Sequence, residues 1–106
     1  MRDRLDLQKR LKSILAPLGI KNFYFEPPSS IKMTYPCCVL NREGLDAKKA
    51  DDKAHITTWR YNFSLIAKDD DILVKTVAPL LELPYCSLSQ TYMADDLHHY
   101  SFTIYF

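Results

Sequence analysis

Leu7, Leu11, Ile14, Leu15 and Leu18 recur at i, i+4, i+7, i+8 and i+11, with Lys9, Arg10, Lys12 and Ser13 between them. This spacing gathers the aliphatics on one face of an amphipathic helix and predicts helix over about Asp3 to Ala16. Pro17 lacks the amide needed to continue it, and Gly19 accepts positive φ, so the two residues end it. Phe23, Tyr24 and Phe25 then read as a short strand that stops at Glu26-Pro27-Pro28, because consecutive prolines cannot donate to a ladder. Residues 36 to 42 read as a second strand, with Cys37, Val39 and Asn41 on one face and Cys38, Leu40 and Arg42 on the other.

The polarity shifts after Arg42. Glu43 to His55 holds Gly44, Asp46, Lys48, Lys49, Asp51, Asp52 and Lys53, with Leu45 as its one large aliphatic, and this predicts a long polar loop. Alternation returns where Trp59, Tyr61, Phe63 and Leu65 interleave with Arg60, Asn62, Ser64 and Ile66, so a third strand is expected with its aromatic face in the core. Asp69-Asp70-Asp71 supplies an N-cap and first-turn negative charge to a second helix carrying Leu73, Val77, Leu80 and Leu81. Pro79 is expected to kink or end that helix near Ala78 unless it starts a second short turn.

Pro84 restarts an extended segment reaching to about Met93, in which Cys86 and Leu88 share a face, and Ala94-Asp95-Asp96 reads as a turn. The closing strand, His98 to Phe106, alternates Tyr100, Phe102, Ile104 and Phe106 against His99, Ser101, Thr103 and Tyr105, which implies a C-terminus tied into the sheet. The order αββ-loop-βαββ predicts an α+β fold: a mostly antiparallel β-sheet with two helices packed on one face, in a single domain over 1–106.

A chain of 106 residues can bury a core without metal or disulfide staples and has no room for a second domain. Its apolar runs are far shorter than the ~20 residues of a membrane helix. Met1 to Arg10 mixes charges of both signs and lacks the apolar core of a secretory signal, so a cytoplasmic protein is expected. A net charge of +1 is too small a surplus for a dedicated nucleic-acid binder. The cysteine count of 3 is odd, which argues against a disulfide framework, and reduced, half-buried thiols are expected.

The candidate chemistry is thin. Asp95-Asp96-Leu97-His98-His99 has the residue types of a zinc or iron site, yet adjacent histidines on a strand diverge, and no second Cys/His pair stands at ligand spacing. Asp69-Asp70-Asp71 lacks the alternating oxygen ligands and glycine of a calcium loop, so helix capping is the expectation. For nucleophilic catalysis the candidates are Cys37, Cys38 and Cys86 with His55, His98 and His99 as bases, but none sits in a strand-turn-helix elbow. Basic and aromatic residues interleave from Lys53 to Tyr61, as in some single-strand binders, although the period-two spacing of Trp59, Tyr61 and Phe63 favours core packing. No catalytic, cofactor or metal residues are therefore assigned.

The segments Phe23-Tyr-Phe-Glu-Pro-Pro-Ser-Ser30, Met33-Thr-Tyr-Pro-Cys37, Leu81-Glu-Leu-Pro-Tyr-Cys86 and His98-His-Tyr-Ser-Phe-Thr-Ile-Tyr105 resemble a family of short tail completion proteins from tailed phages and prophages, whose fold is similar to the tail terminators of long-tailed phages. The likeness covers most of the chain beyond the first helix, in residues that punctuate structure rather than perform chemistry. It implies a structural, non-enzymatic protein without cofactor that forms a ring, typically a hexamer, with DNA able to pass through it. Such a ring caps the tail tube, ends its polymerisation and meets a head-tail connector protein, in the host cytoplasm during assembly and then at the head-proximal end of the virion tail. The implied contacts with tube or neighbour fall on Lys48, Lys49, Asp51, Asp52 and Lys53, with mixed charges of the first helix closing the ring. A head-side connector or stopper and a small nucleic-acid or protein-binding module are the competing expectations.

Overall fold

The computed structural model describes residues 4–50 and 53–106, with the side chains of 4–44 and 59–106. Helix α1, Arg4–Leu15, buries Leu7, Leu11 and Leu15, one residue per turn on a single stripe. A 3-10 turn, Ala16–Leu18, carries Pro17 at its start and closes at Gly19, whose φ of 98° lies in the left-handed region that glycine enters without a Cβ penalty. Gly19 donates its amide to Ala16 O at 3.1 Å and Ile20 donates to Leu15 O at 3.1 Å, which satisfies two of the helix's last carbonyls.

Strand β1 (Asn22–Phe25) pairs in parallel with β2 (Cys37–Ala50), and β2 pairs antiparallel with β3 (Lys53–Ala67). Helix α2 spans Asp70–Leu81, followed by the hairpin of β4 (Cys86–Ala94) and β5 (Leu97–Tyr105). With β5 also antiparallel to β3, the strand order is β1-β2-β3-β5-β4. The fold is thus α+β, with both helices on one face. Leu7, Leu11, Leu15, Leu73 and Leu80 of the helices share one core cluster with Cys38, Leu40, Tyr61, Phe63, Leu65, Phe102 and Ile104 of the sheet. At its centre Phe63 and Phe102, paired across β3 and β5, stack with centroids 5.0 Å apart.

Two expectations need correcting. The polar segment after Arg42 is not a loop: the backbone of β2 continues to Ala50 and pairs as far as Ala50↔Lys53. Strand formation here needs no apolar face, because the ladder begun at Cys37↔Ile66 propagates outward and the β-branched run Ile56-Thr57-Thr58 favours extended backbone. Helix α2 does not stop near Ala78 but passes Pro79 to Leu81. The proline ring falls in the last turn and forfeits one amide bond, while continuing the helix buries Leu80 completely, a gain of about 1.5–3 kcal/mol.

The start of α2 follows the sequence reading: the Asp69 side chain accepts from the Asp71 amide at 3.0 Å. The β4–β5 turn does too, with Asp95 and Asp96 at φ 53° and 62°, the positive pair of a two-residue hairpin turn that suits aspartate.

Candidate assembly surfaces

The first surface is the ribbon formed where β2 and β3 outrun the sheet. β1 leaves β2 at Phe25↔Leu40, and β5 leaves β3 where Trp59 and Phe106 exchange hydrogen bonds of 3.2 and 2.9 Å. Beyond those points the two strands pair only with each other among the described residues. Of the residues expected to make contact, Asp51 and Asp52 lie outside the described residues. Lys48, Lys49 and Lys53 have described backbones, paired Lys48↔Ile56, Lys49↔Ala54 and Ala50↔Lys53, but their side chains lie outside as well.

The ribbon's root is built by Arg42. A register shift between Arg42 and Gly44 marks a bulge there, the usual device for bending a strand away from a sheet. The Arg42 guanidinium lies 4.6 Å from the Trp59 ring centroid and 5.4 Å from that of Tyr61, and its Nη2 donates to Tyr61 Oη at 3.2 Å. The Arg42 amide donates to Glu26 Oε1 at 3.2 Å, and the Glu26 amide to Leu40 O at 2.9 Å, so the end of β1 is tied to the same point. Trp59, expected in the core, is 37% exposed, whereas Tyr61, Phe63 and Leu65 are fully buried. Its strand parity was read rightly, since Arg42 covers the rings of both Trp59 and Tyr61 from one side.

The second and third surfaces are the two sheet edges. At the β1 edge, α1 packs its cations onto the strand: Arg4 lies over Phe25 at 4.2 Å and Lys12 over Phe23 at 5.5 Å. Lys12 and Lys21 line a shallow depression with Asn22, Phe23 and Tyr24. The connection from β1 to β2 is held on the helix-free face, through Asn22 Nδ2 donating to Pro36 O and the Thr34 amide donating to Tyr24 Oη, each at 3.0 Å.

At the β4 edge, Tyr85, Leu88, Tyr92 and Met93 are all exposed, Met93 to 61%. Above it the first turn of α2 meets β5, where Tyr100 Oη donates to Asp70 Oδ1 at 2.8 Å and His98 Nδ1 lies 3.6 Å from the same oxygen. Burial, together with this donation and the charges of Asp70 and Asp71, pushes the Tyr100 phenol up from its ordinary value. His99 points to the other face and stacks on Tyr92 at 4.7 Å. The adjacent histidines thus diverge, and among the described residues no three His, Cys, Asp or Glu side chains group as a metal would require.

The cysteines are free, and Cys37 and Cys38 are fully rather than half buried. Burial pushes the Cys37 and Cys86 thiols up to about 11, and burial with the charge of its neighbour pushes Cys38 higher. At neutral pH these groups are thiols that fill space, and the thiolate needed for nucleophilic attack is suppressed.

No protein-family model and no curated protein sequence matches this chain.

Proposed function

We propose that this chain is a structural virion assembly protein, a tail terminator or closely related tail completion protein, which caps the phage tail tube as an oligomeric ring. The ring, a hexamer in this reading, ends tube polymerisation and prepares head-tail joining, without catalysis or cofactor. The observation that supports it best is the β2–β3 ribbon, which leaves the sheet at a bulge braced by Arg42 and pairs with no third strand among the described residues. An isolated two-stranded ribbon is marginal in water, so one projected from a packed domain suits an element completed by what it docks against. Its chemistry matches that role: Lys48, Lys49, Asp51, Asp52 and Lys53 offer both signs of charge to a tube subunit or a neighbour.

The test is a capping assay with purified tail tubes or in an infected host. The double reversal Lys48→Glu with Lys49→Glu should yield tails of uncontrolled length that fail to join heads. Normal tail length and normal joining would remove the ribbon from the contact. A tail-length defect separates this reading from a head-side connector, whose loss leaves tails of correct length. The cation-aromatic root of Arg42, Trp59 and Tyr61 also suits a nucleic-acid-binding module, which would be favoured instead by DNA binding that weakens steeply between low and moderate salt.

A further inference from the structure

Charge is segregated between the two edges of the sheet. Arg4, Lys12 and Lys21 stand at the β1 edge, with Glu26 as the acid at the far end of that strand; Asp6 lies elsewhere on α1, with Lys9 and Arg10 beside Phe106. The β4 edge carries Asp69, Asp70 and Asp71 at the start of α2 and Asp95 and Asp96 in the adjoining hairpin turn, with Lys68 and Lys75 as the cations beside them.

The two patches stand level with each other. Phe23, under Lys12, pairs with Cys38, which pairs with Leu65, which pairs with Tyr100, the residue that donates to Asp70. Both patches also lie on the helix-covered face. Strand direction agrees: tracing the ladder from β1 to β4 gives one parallel and three antiparallel steps, so β4 runs opposite to β1. A second copy set beside the first in the same orientation would therefore place its β1 antiparallel to β4. Without any slip, its Asn22 stands opposite Tyr92 and its Lys21 opposite Met93.

We propose that copies of this chain join head to tail, with the Lys12–Lys21 edge of one against the Asp69–Asp71 edge and the exposed Tyr92 and Met93 of the next. The contact is heterologous, one patch meeting a different patch, which is the kind that closes into rings. It rests on the ring reading above in one respect, that the chain assembles with itself, and adds which surfaces meet and in which sense. The charges fix orientation and register, while burial of Tyr92 and Met93 supplies the apolar centre.

Sedimentation velocity of the purified chain over a concentration series, at low and moderate salt, tests this. The wild-type chain is expected to associate, and more weakly as salt rises. A basic-edge variant, Lys12→Glu with Lys21→Glu, and an acidic-edge variant, Asp70→Asn with Asp71→Lys, should each lose self-association by about tenfold or more, since each turns attraction into repulsion. Asp70→Asn keeps an acceptor for Tyr100, and circular dichroism verifies the fold of both.

The distinguishing result is the mixture. The intact acidic edge of the first variant fits the intact basic edge of the second, so the two combine into dimers although neither associates alone. Independently, Lys21→Cys with Met93→Cys in one chain should give a reducible ladder of covalent oligomers. Wild-type association unchanged by both variants, with no ladder, overturns this pairing and leaves the ring reading standing. A wild-type chain that stays monomeric at every concentration and gives no ladder also overturns it, and the capping assay then decides the ring reading by itself.

Discussion

Arg42→Ala should loosen the ribbon from the domain, and its size can be worked from the contacts. The guanidinium stacks on Trp59 at 4.6 Å, and a cation–π contact on a ring 37% exposed contributes roughly 0.5–1 kcal/mol. Its hydrogen bond to Tyr61 Oη at 3.2 Å contributes about 0.5–1.5 kcal/mol, and losing it leaves the hydroxyl of a fully buried residue without that donor. The Arg42 amide bond to Glu26 survives the substitution because it is backbone. The expected loss is therefore about 1–2.5 kcal/mol, or roughly 5–12 °C in Tm for a domain of this size. Trp59 is the only tryptophan in the chain, so its emission reports the ribbon root directly. Arg42→Ala should shift that emission to the red and raise its quenching by acrylamide, with faster amide exchange across Gly44–Ala50. Tyr61→Phe separates the two contributions: it removes the hydrogen bond and keeps the stacking, so stability falls while Trp59 emission stays put. An Arg42→Ala protein with unchanged emission and a loss below about 0.3 kcal/mol would refute the bracing of the ribbon by this residue.

Two further outcomes follow from the core. Phe63→Leu and Phe102→Leu, measured singly and together by denaturant unfolding, should show a coupling of about 0.5–1.5 kcal/mol from their stacking, and strict additivity would contradict it. Stability should also fall as pH rises from about 9 towards 11. Cys37 and Cys86 keep their protons to about 11 when folded, whereas the unfolded thiols lose them near 9.0, so the folded state binds more protons in that window. Replacing both by alanine should flatten the slope, and an unchanged pH profile in that variant would count against the burial-raised thiols.

What the sequence made legible was whatever repeats within a few residues. The stripe Leu7, Leu11 and Leu15, the alternation Tyr61, Phe63 and Leu65, and the Asp69 cap each declare themselves through local period or local hydrogen bonding, and all appear as expected. The Asp95-Asp96 turn is legible for the same reason. The ribbon was not, because Glu43 to His55 has one large aliphatic and so no apolar period to display, and mixed charge reads equally well as loop. Pro79 misled in the opposite direction: local chemistry favoured a kink or an end near Ala78, whereas the helix runs on to Leu81 with Leu80 fully buried. Trp59 fell between the two, with its face assigned correctly by alternation but its place at the point where β5 leaves β3 not visible in local pattern.

The charged edges were the least legible feature, and the reason bears on function. A net charge of +1 suggests a surface with no electrostatic preference, yet that sum conceals two patches of opposite sign. In the sequence Lys12 and Lys21 are separated from Asp69–Asp71 by the whole of β2 and β3, and nothing local says that they lie at opposite edges of one sheet. That placement depends on β1 pairing in parallel outside β2, and on the β4–β5 hairpin inserting β5 rather than β4 next to β3. Had β4 taken the inner position, the acids of α2 would stand over a paired strand, and the row from Phe23 to Tyr100 would end at an edge bearing no exposed Tyr92 or Met93. The topology thus gives an almost neutral chain two edges of opposite charge, which is what the proposed head-to-tail contact requires. In that proposal a neutral sum lets many copies gather without long-range repulsion, while the separation of its parts sets the direction in which they join.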